Sequence, residues 1–194
     1  MQFFYAFFKA FKIDSILEIG TAIGYSALVM ANHPNFKGQI ITCDPSAHSL
    51  KRARANIEAY GMDNRIKTEK IGGIDYLKTC EKRFDLIFID GRKEEYPEYY
   101  RLARQHLNFG GHILIDNLLW HGKVLDKNFK NDPRTEILRA FNVEFIQSKP
   151  EKAEIYDIGD GLGWVSVDKI HDKELRDMYI RERVKNEYFA SFQT

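Results

Sequence analysis

Residues Ser15–Ala31, SILEIGTAIGYSALVMA, constrain the fold of this chain more than any other stretch. An apolar run, Ile16–Ile19, leads straight into the turn Gly20-Thr-Ala-Ile-Gly24, and the helical pattern Ser26–Asn32 follows at once. A strand that pivots on glycine into a helix is half of a crossover unit, and crossover units build parallel sheets. The same order continues. Gln39–Cys43 reads as a strand, Ala47–Tyr60 as a helix ended by Gly61, Ile66–Thr68 as a short strand and Ile74–Thr79 as a helix. Phe84–Ile89 reads as a strand and Glu95–Leu107 as a helix with Pro97 in its first turn, stopped by Gly110-Gly111. His112–Ile115 reads as a strand, and Pro133–Phe145 as a helix capped by Asp132. Glu154–Tyr156 and Leu162–Val167 are the last two strands. Continuous apolar strands between helices predict an α/β fold with a doubly wound, mostly parallel sheet.

The N-terminal run MQFFYAFFKAFK places Phe4, Phe7, Phe8 and Phe11 at i, i+3, i+4, i+7 spacing. Lys9 and Lys12 interrupt it, so it reads as a helix packed on the sheet rather than a membrane segment. A net charge of +1 supplies no global field toward nucleic acid or membrane. Two cysteines, Cys43 and Cys80, make neither a disulfide framework nor a zinc site, which points to reduced thiols and a cytoplasmic protein.

Ligands of such sheets bind beyond the carboxyl ends of the strands. The first strand carries Glu18 and ends in Gly20–Gly24, followed by Tyr25-Ser26. Glycines let a ligand approach the backbone, and the helix presents free N–H groups. The spacing lacks the dinucleotide fingerprint and the lysine of a phosphate loop, and Glu18 would repel pyrophosphate but suit an ammonium. Strand two ends in Asp44, about twenty residues on, where an acid can accept from ribose hydroxyls or cap the helix at Ala47. Strand three leads to Gly72-Gly73-Ile74-Asp75, a turn able to admit a flat ring. Strands four and five end in Asp90 and in Asp116-Asn117, and Lys93 follows Asp90 by three residues. Two carboxylates and an amide oxygen at neighbouring tips make a hard-oxygen set suited to Mg²⁺. Trp120, Tyr96 and Tyr25 are placed to flank an aromatic ring or to pack, and His121, close by, reads as a surface residue.

The stretches LEIGTAIGYSALVMA, ITCDPS, FDLIFIDGRKEEY and GGHILIDNLLWHGKV resemble the metal-dependent class I S-adenosylmethionine O-methyltransferases. That group includes catechol and caffeoyl-CoA O-methyltransferases and bacterial enzymes acting on tRNA 5-hydroxyuridine. The resemblance implies a Rossmann-like sheet of seven strands closed by an antiparallel hairpin at IYDIGDGLGWVSV. It implies cofactor contacts from Glu18, Gly20, Gly24, Ser26, Asp44, Gly73 and Asp90. It places a divalent ion, Mg²⁺, on Asp90, Asp116 and Asn117, with Lys93 and Asp90 as the catalytic pair. Lys93 would serve as a base or as an electrostatic partner of the acceptor oxygen. The acceptor would be a small molecule or tRNA. Three features depart from the group: the chain starts at Met1 without the usual N-terminal lid, the adenine turn is one residue short, and Arg92 stands where many relatives carry an acid.

The domain is expected over 1–168, with 169–194 as a helical extension. Leu175, Met178 and Tyr179 form one apolar patch of that tail, and Ile180, Val184 and Tyr188 a second, which points to a homodimer. Two other functions fit the same sheet: a cofactor-binding protein without turnover, and a nicotinamide dehydrogenase, the latter disfavoured by the missing fingerprint.

Overall fold

A computed structural model describes residues 2–147 and 153–166. Seven strands form one sheet: β1 (Ser15–Ile19), β2 (Gln39–Cys43), β3 (Ile66–Glu69), β4 (Phe84–Ile89), β5 (Leu107–Ile115), β6 (Ala153–Tyr156) and β7 (Leu162–Ser166). Their order is β3-β2-β1-β4-β5-β7-β6. The first five are parallel, and β7 runs antiparallel between β5 and β6. The expected doubly wound sheet with a closing hairpin is what forms. β1 and β4 lie in its interior, and Ile16, Leu17 and Ile19 of β1 are almost wholly buried.

Alternation along each strand divides the core in two. On one face, Ile16, Ile40, Leu86 and Phe88 pack with Met30 of α2 (Tyr25–Ala31), Ile57 of α3 (Ala47–Ala59), and Phe7 and Phe8 of α1 (Gln2–Ala10). The phenylalanine-rich start is therefore a packing helix, with Phe4 edge-on to Phe88 at 5.4 Å. On the other face, Leu17, Ile19, Ile87 and Ile89 pack with α4 (Gly73–Thr79), α5 (Tyr96–Ala103) and α6 (Pro133–Ile146) through Leu77, Tyr96, Tyr99, Phe141 and Phe145.

Two adjoining boundaries differ most from the sequence reading: the end of the helix read over Glu95–Leu107 and the start of the strand read over His112–Ile115. The helix expected to run to Leu107 ends at Ala103, and after one 3₁₀ turn β5 begins at Leu107. Leu107 pairs with Phe84 and His112 with Leu86, so β5 spends extra residues in a bulge. Gly110, at φ +71°, belongs to that bulge and does not stop a helix. The tail patches from Leu175 to Tyr188 lie outside the described residues, as does Val167. Among the described residues, no helix is long and apolar enough to cross a membrane.

The amino end of the sheet is closed by Asp85. Its carboxylate accepts the N–H groups of Asp14 and Ser15 (2.9 Å each), the Ser15 hydroxyl (3.0 Å) and the Asn108 amide (2.7 Å). These bonds tie β1, β4 and β5 together at the end away from the glycine turn. Asp85→Ala leaves several donors without a partner, and hydrogen bonds to a charged acceptor contribute about 1.5–3 kcal/mol. Urea denaturation is expected to show a loss of ~2–4 kcal/mol; an unchanged midpoint would refute the clamp.

Candidate active site

At the carboxyl ends of the strands, the parallel ladder continues past the strands themselves. The Gly20 N–H donates to Cys43 O (3.0 Å), Asp44 N–H to Glu69 O (3.1 Å), Asp90 N–H to Ile19 O (2.9 Å) and Asp116 N–H to Ile89 O (3.0 Å). Gly20, Asp44, Asp90 and Asp116 are thus each fixed by a neighbouring strand. Gly20 has φ +107°, and a Cβ there would lie 2.2 Å from the Asp90 carbonyl oxygen, so only glycine fits. A cleft of about 440 Å³ opens above these tips. Its walls include Gly20, Ala22, Asp44, Gly72, Gly73, Asp75, Asp90, Gly91, Arg92, Glu95 and Tyr99.

The structure divides the expected cofactor residues. Gly20, Asp44, Gly73 and Asp90 line the cleft; Glu18, Gly24 and Ser26 do not. Glu18 is fully buried behind it, and its carboxyl accepts from the Ser26 hydroxyl and from Thr42 Oγ1 (2.5 Å). Burial, reinforced by Asp90 and Asp44, pushes Glu18 up to about 7 against the pull of those two hydroxyls. Gly24 caps α2 at φ +82° and brings it against Ala53 of α3. Asp44 accepts from the Ala22 N–H (3.1 Å) and the Ser46 N–H (2.8 Å), bracing the glycine turn, while Ser46 caps α3.

Lys93, Asp90, Asp116 and Asn117 do come together. Lys93 Nζ donates to Asp90 Oδ1 (3.0 Å), Asn117 Oδ1 (2.8 Å) and Tyr96 Oη (2.6 Å). Tyr96 Oη donates to the Asp116 carbonyl (2.8 Å). Burial, then the Asp90 and Asp116 charges, hold that phenol well above its usual range, so it keeps the proton it donates. Burial, then Asp90, raises the Asp116 carboxyl. Asn117 takes φ +61°, a conformation asparagine tolerates better than most residues. Among the described residues, no three His, Cys, Asp or Glu side chains are grouped as metal ligands, so an ion here depends on Asn117 as a donor.

Tyr96, weighed as a flank for an aromatic ring, is instead wholly buried and packs edge-on to Phe141. Tyr25 and His121 are exposed, and the His121 N–H donates to Asp160 (2.6 Å). Sequence reasoning missed Thr42, Tyr99 and Glu95. Thr42 stands beside Glu18 in the β1–β2 register, which the strand pairing would have exposed. The Tyr99 ring lies under Gly73 and Gly91, where a Cβ would approach it to 2.8 and 2.9 Å, and its hydroxyl donates to Glu95.

A family model described as O-methyltransferase matches residues 1–167. A protein named probable caffeoyl-CoA O-methyltransferase 2 from Dictyostelium discoideum is 28% identical over 166 residues, 83% of this chain and 72% of its own. A catechol O-methyltransferase from Niastella koreensis is 34% identical over 135 residues, 68% of this chain and 61% of its own. The crystal structure of an O-methyltransferase from Bacillus cereus, in complex with SAH, aligns with a TM-score of 0.76 at 28% identity, covering 86% of this chain and 80% of that one.

Glu18 gives a stability signature. A carboxyl raised from 4.5 to about 7 on folding contributes stability that is fully present below 4.5 and is lost as pH rises through 7. Glu18→Gln removes that dependence. Its unfolding free energy is expected to gain on the parent by about 2.5 kcal/mol between pH 5 and pH 8; parallel curves would contradict the buried acid.

Proposed function

Since this chain belongs to the O-methyltransferase family, we propose that it transfers a methyl group from S-adenosylmethionine to a hydroxyl lying next to a second oxygen. A catechol-like small molecule and a 5-hydroxyuridine of tRNA both present such a pair. One observation carries the reading: Asp90 is at once a wall of the glycine-lined cleft and a member of the Lys93–Asn117–Asp116 cluster. A nucleotide cleft and an oxygen-donor site thus share one residue, as a methyl donor and its acceptor require. Cytoplasmic residence belongs to the same proposal, supported by two free cysteines, of which burial, then Glu18 and Asp44, push Cys43 up to about 12.

Gly20 and Gly73 border the cleft without side chains, so a ligand can lie against the backbone of β1 and α4. Asp44 has lone pairs beyond its two backbone bonds for ribose hydroxyls. Gly24 caps α2, and Glu18 and Ser26 are hydrogen-bonded to each other beside the turn. Once bound, S-adenosylmethionine supplies an electrophilic methyl on a sulfonium.

The donor set fits a divalent ion, because Asp90 Oδ1 and Asn117 Oδ1 already converge on one cationic group, the Lys93 ammonium. Asp90, Asp116 and Asn117 would hold the ion, which supplies Lewis acidity to the acceptor oxygens. Lys93 favours the electrostatic role over the base. Its three N–H groups are matched by three acceptors, which leaves no lone pair to take a proton.

Calorimetry is expected to show binding of S-adenosylhomocysteine and none of NAD. Asp44→Ala should weaken that binding about tenfold or more; unchanged affinity would remove Asp44 from the site.

Methyl transfer from labelled cofactor is expected on a catechol or on bulk tRNA. It should stop with chelator and return with Mg²⁺. Full turnover in excess chelator would exclude the ion's part.

A further inference from the structure

Lys93 is held more firmly than a charge partner needs to be. Its side chain is 10% exposed, and Nζ has three acceptors at 2.6–3.0 Å. Asp90 follows β4, Asn117 follows β5 and Tyr96 begins α5, so the ammonium joins two strand tips to a helix. Tyr96 is fully buried, its ring centroid lies 4.9 Å from Nζ, and its hydroxyl is anchored to the Asp116 carbonyl. A neutral side chain therefore fixes where the charge rests.

We propose that Lys93 is a built-in cation of the Asp90–Asn117 oxygen pair, positioned by Tyr96, and that a divalent ion takes those oxygens by displacing it. This rests on the metal part of the function proposed above. An ion bound to both oxygens would share them with the ammonium at close range, with no layer of water between like charges. Displacement would also free at least one Lys93 N–H from Asp90 or Asn117. Tyr96 is a positioning residue here: it acts through Lys93.

Manganese(II) binding to the full chain, followed by calorimetry, tests this in the parent, Lys93→Met and Tyr96→Phe. Lys93→Met is expected to tighten binding at least tenfold. Tyr96→Phe, which changes no charge, is expected to tighten it severalfold, a direction that mere damage to the site would not give. Equal affinity in all three, or tightening in Lys93→Met alone, overturns displacement. No manganese uptake by any of them, with S-adenosylhomocysteine still bound, overturns the metal reading itself. A measurement on the parent covers a variant that fails to fold. Labelling of Lys93 by an amine-reactive reagent, read by mass spectrometry, is expected to rise severalfold on saturation with manganese(II), and an unchanged or lower yield overturns the proposal.

Discussion

The Asp90 carbonyl oxygen occupies space that any side chain on Gly20 would need. That approach joins the two central strands at their tips, and the rest of the site is arranged around it. The Asp90 N–H returns a bond to Ile19, Asp116 bonds to Ile89, and Gly20 bonds to Cys43. These bonds link the tips of β1, β2, β4 and β5, although a helix separates each strand from the next in sequence. Gly73 and Gly91 extend the arrangement, because each lies against Tyr99 or Ile19 too closely for a side chain. The glycines leave part of the cleft wall to backbone, with Asp44, Asp90, Glu95 and Tyr99 as side-chain walls.

Negative charge accumulates on this rim. Glu18, Asp44, Asp90 and Asp116 all point toward it or lie just behind it, and their mutual effects raise Glu18 and Asp116 in addition to burial. Two unit charges about 4 Å apart interact by roughly 4 kcal/mol at an effective dielectric near 20. Lys93 offsets that repulsion on the Asp90 side, while Glu18 meets it by favouring its proton. The two solutions have different consequences. A protonated Glu18 makes the turn behind the cleft neutral; a lysine between Asp90 and Asn117 keeps the other side ionic.

Much of this was legible in the residues. Apolar strands followed by Gly20, Asp44, Asp90 and Asp116 gave both the sheet and its tips, because burial on two faces and position after a strand are local properties. What escaped was relational. Glu18 was expected to face the ligand; its carboxyl also has Thr42 as a register partner, a contact that only strand pairing reveals, and Ser26 from the next helix. Tyr96 was placed either to flank a ring or to pack; it packs, and its hydroxyl also bridges Lys93 and the Asp116 carbonyl just after β5. Gly110-Gly111 looked like a helix stop because glycine serves helix ends and bulges through the same left-handed conformation.

The loop after β5 shows how distant elements reach the site. Asn117, Trp120 and His121 all take positive φ, which costs non-glycine residues energy and persists only when the surroundings enforce it. The enforcement comes from the closing hairpin and α6. Leu118 N–H donates to Gly161 O (2.9 Å), Leu119 N–H to Asp160 O (2.8 Å), and the Asn142 amide to Leu118 O (2.8 Å). Gly161, at φ +84°, leaves no room for a Cβ beside Leu119. The antiparallel hairpin is therefore more than an edge to the sheet: it holds the turn that directs Asn117 Oδ1 at Lys93, so the last described strands help set the geometry at the fourth and fifth.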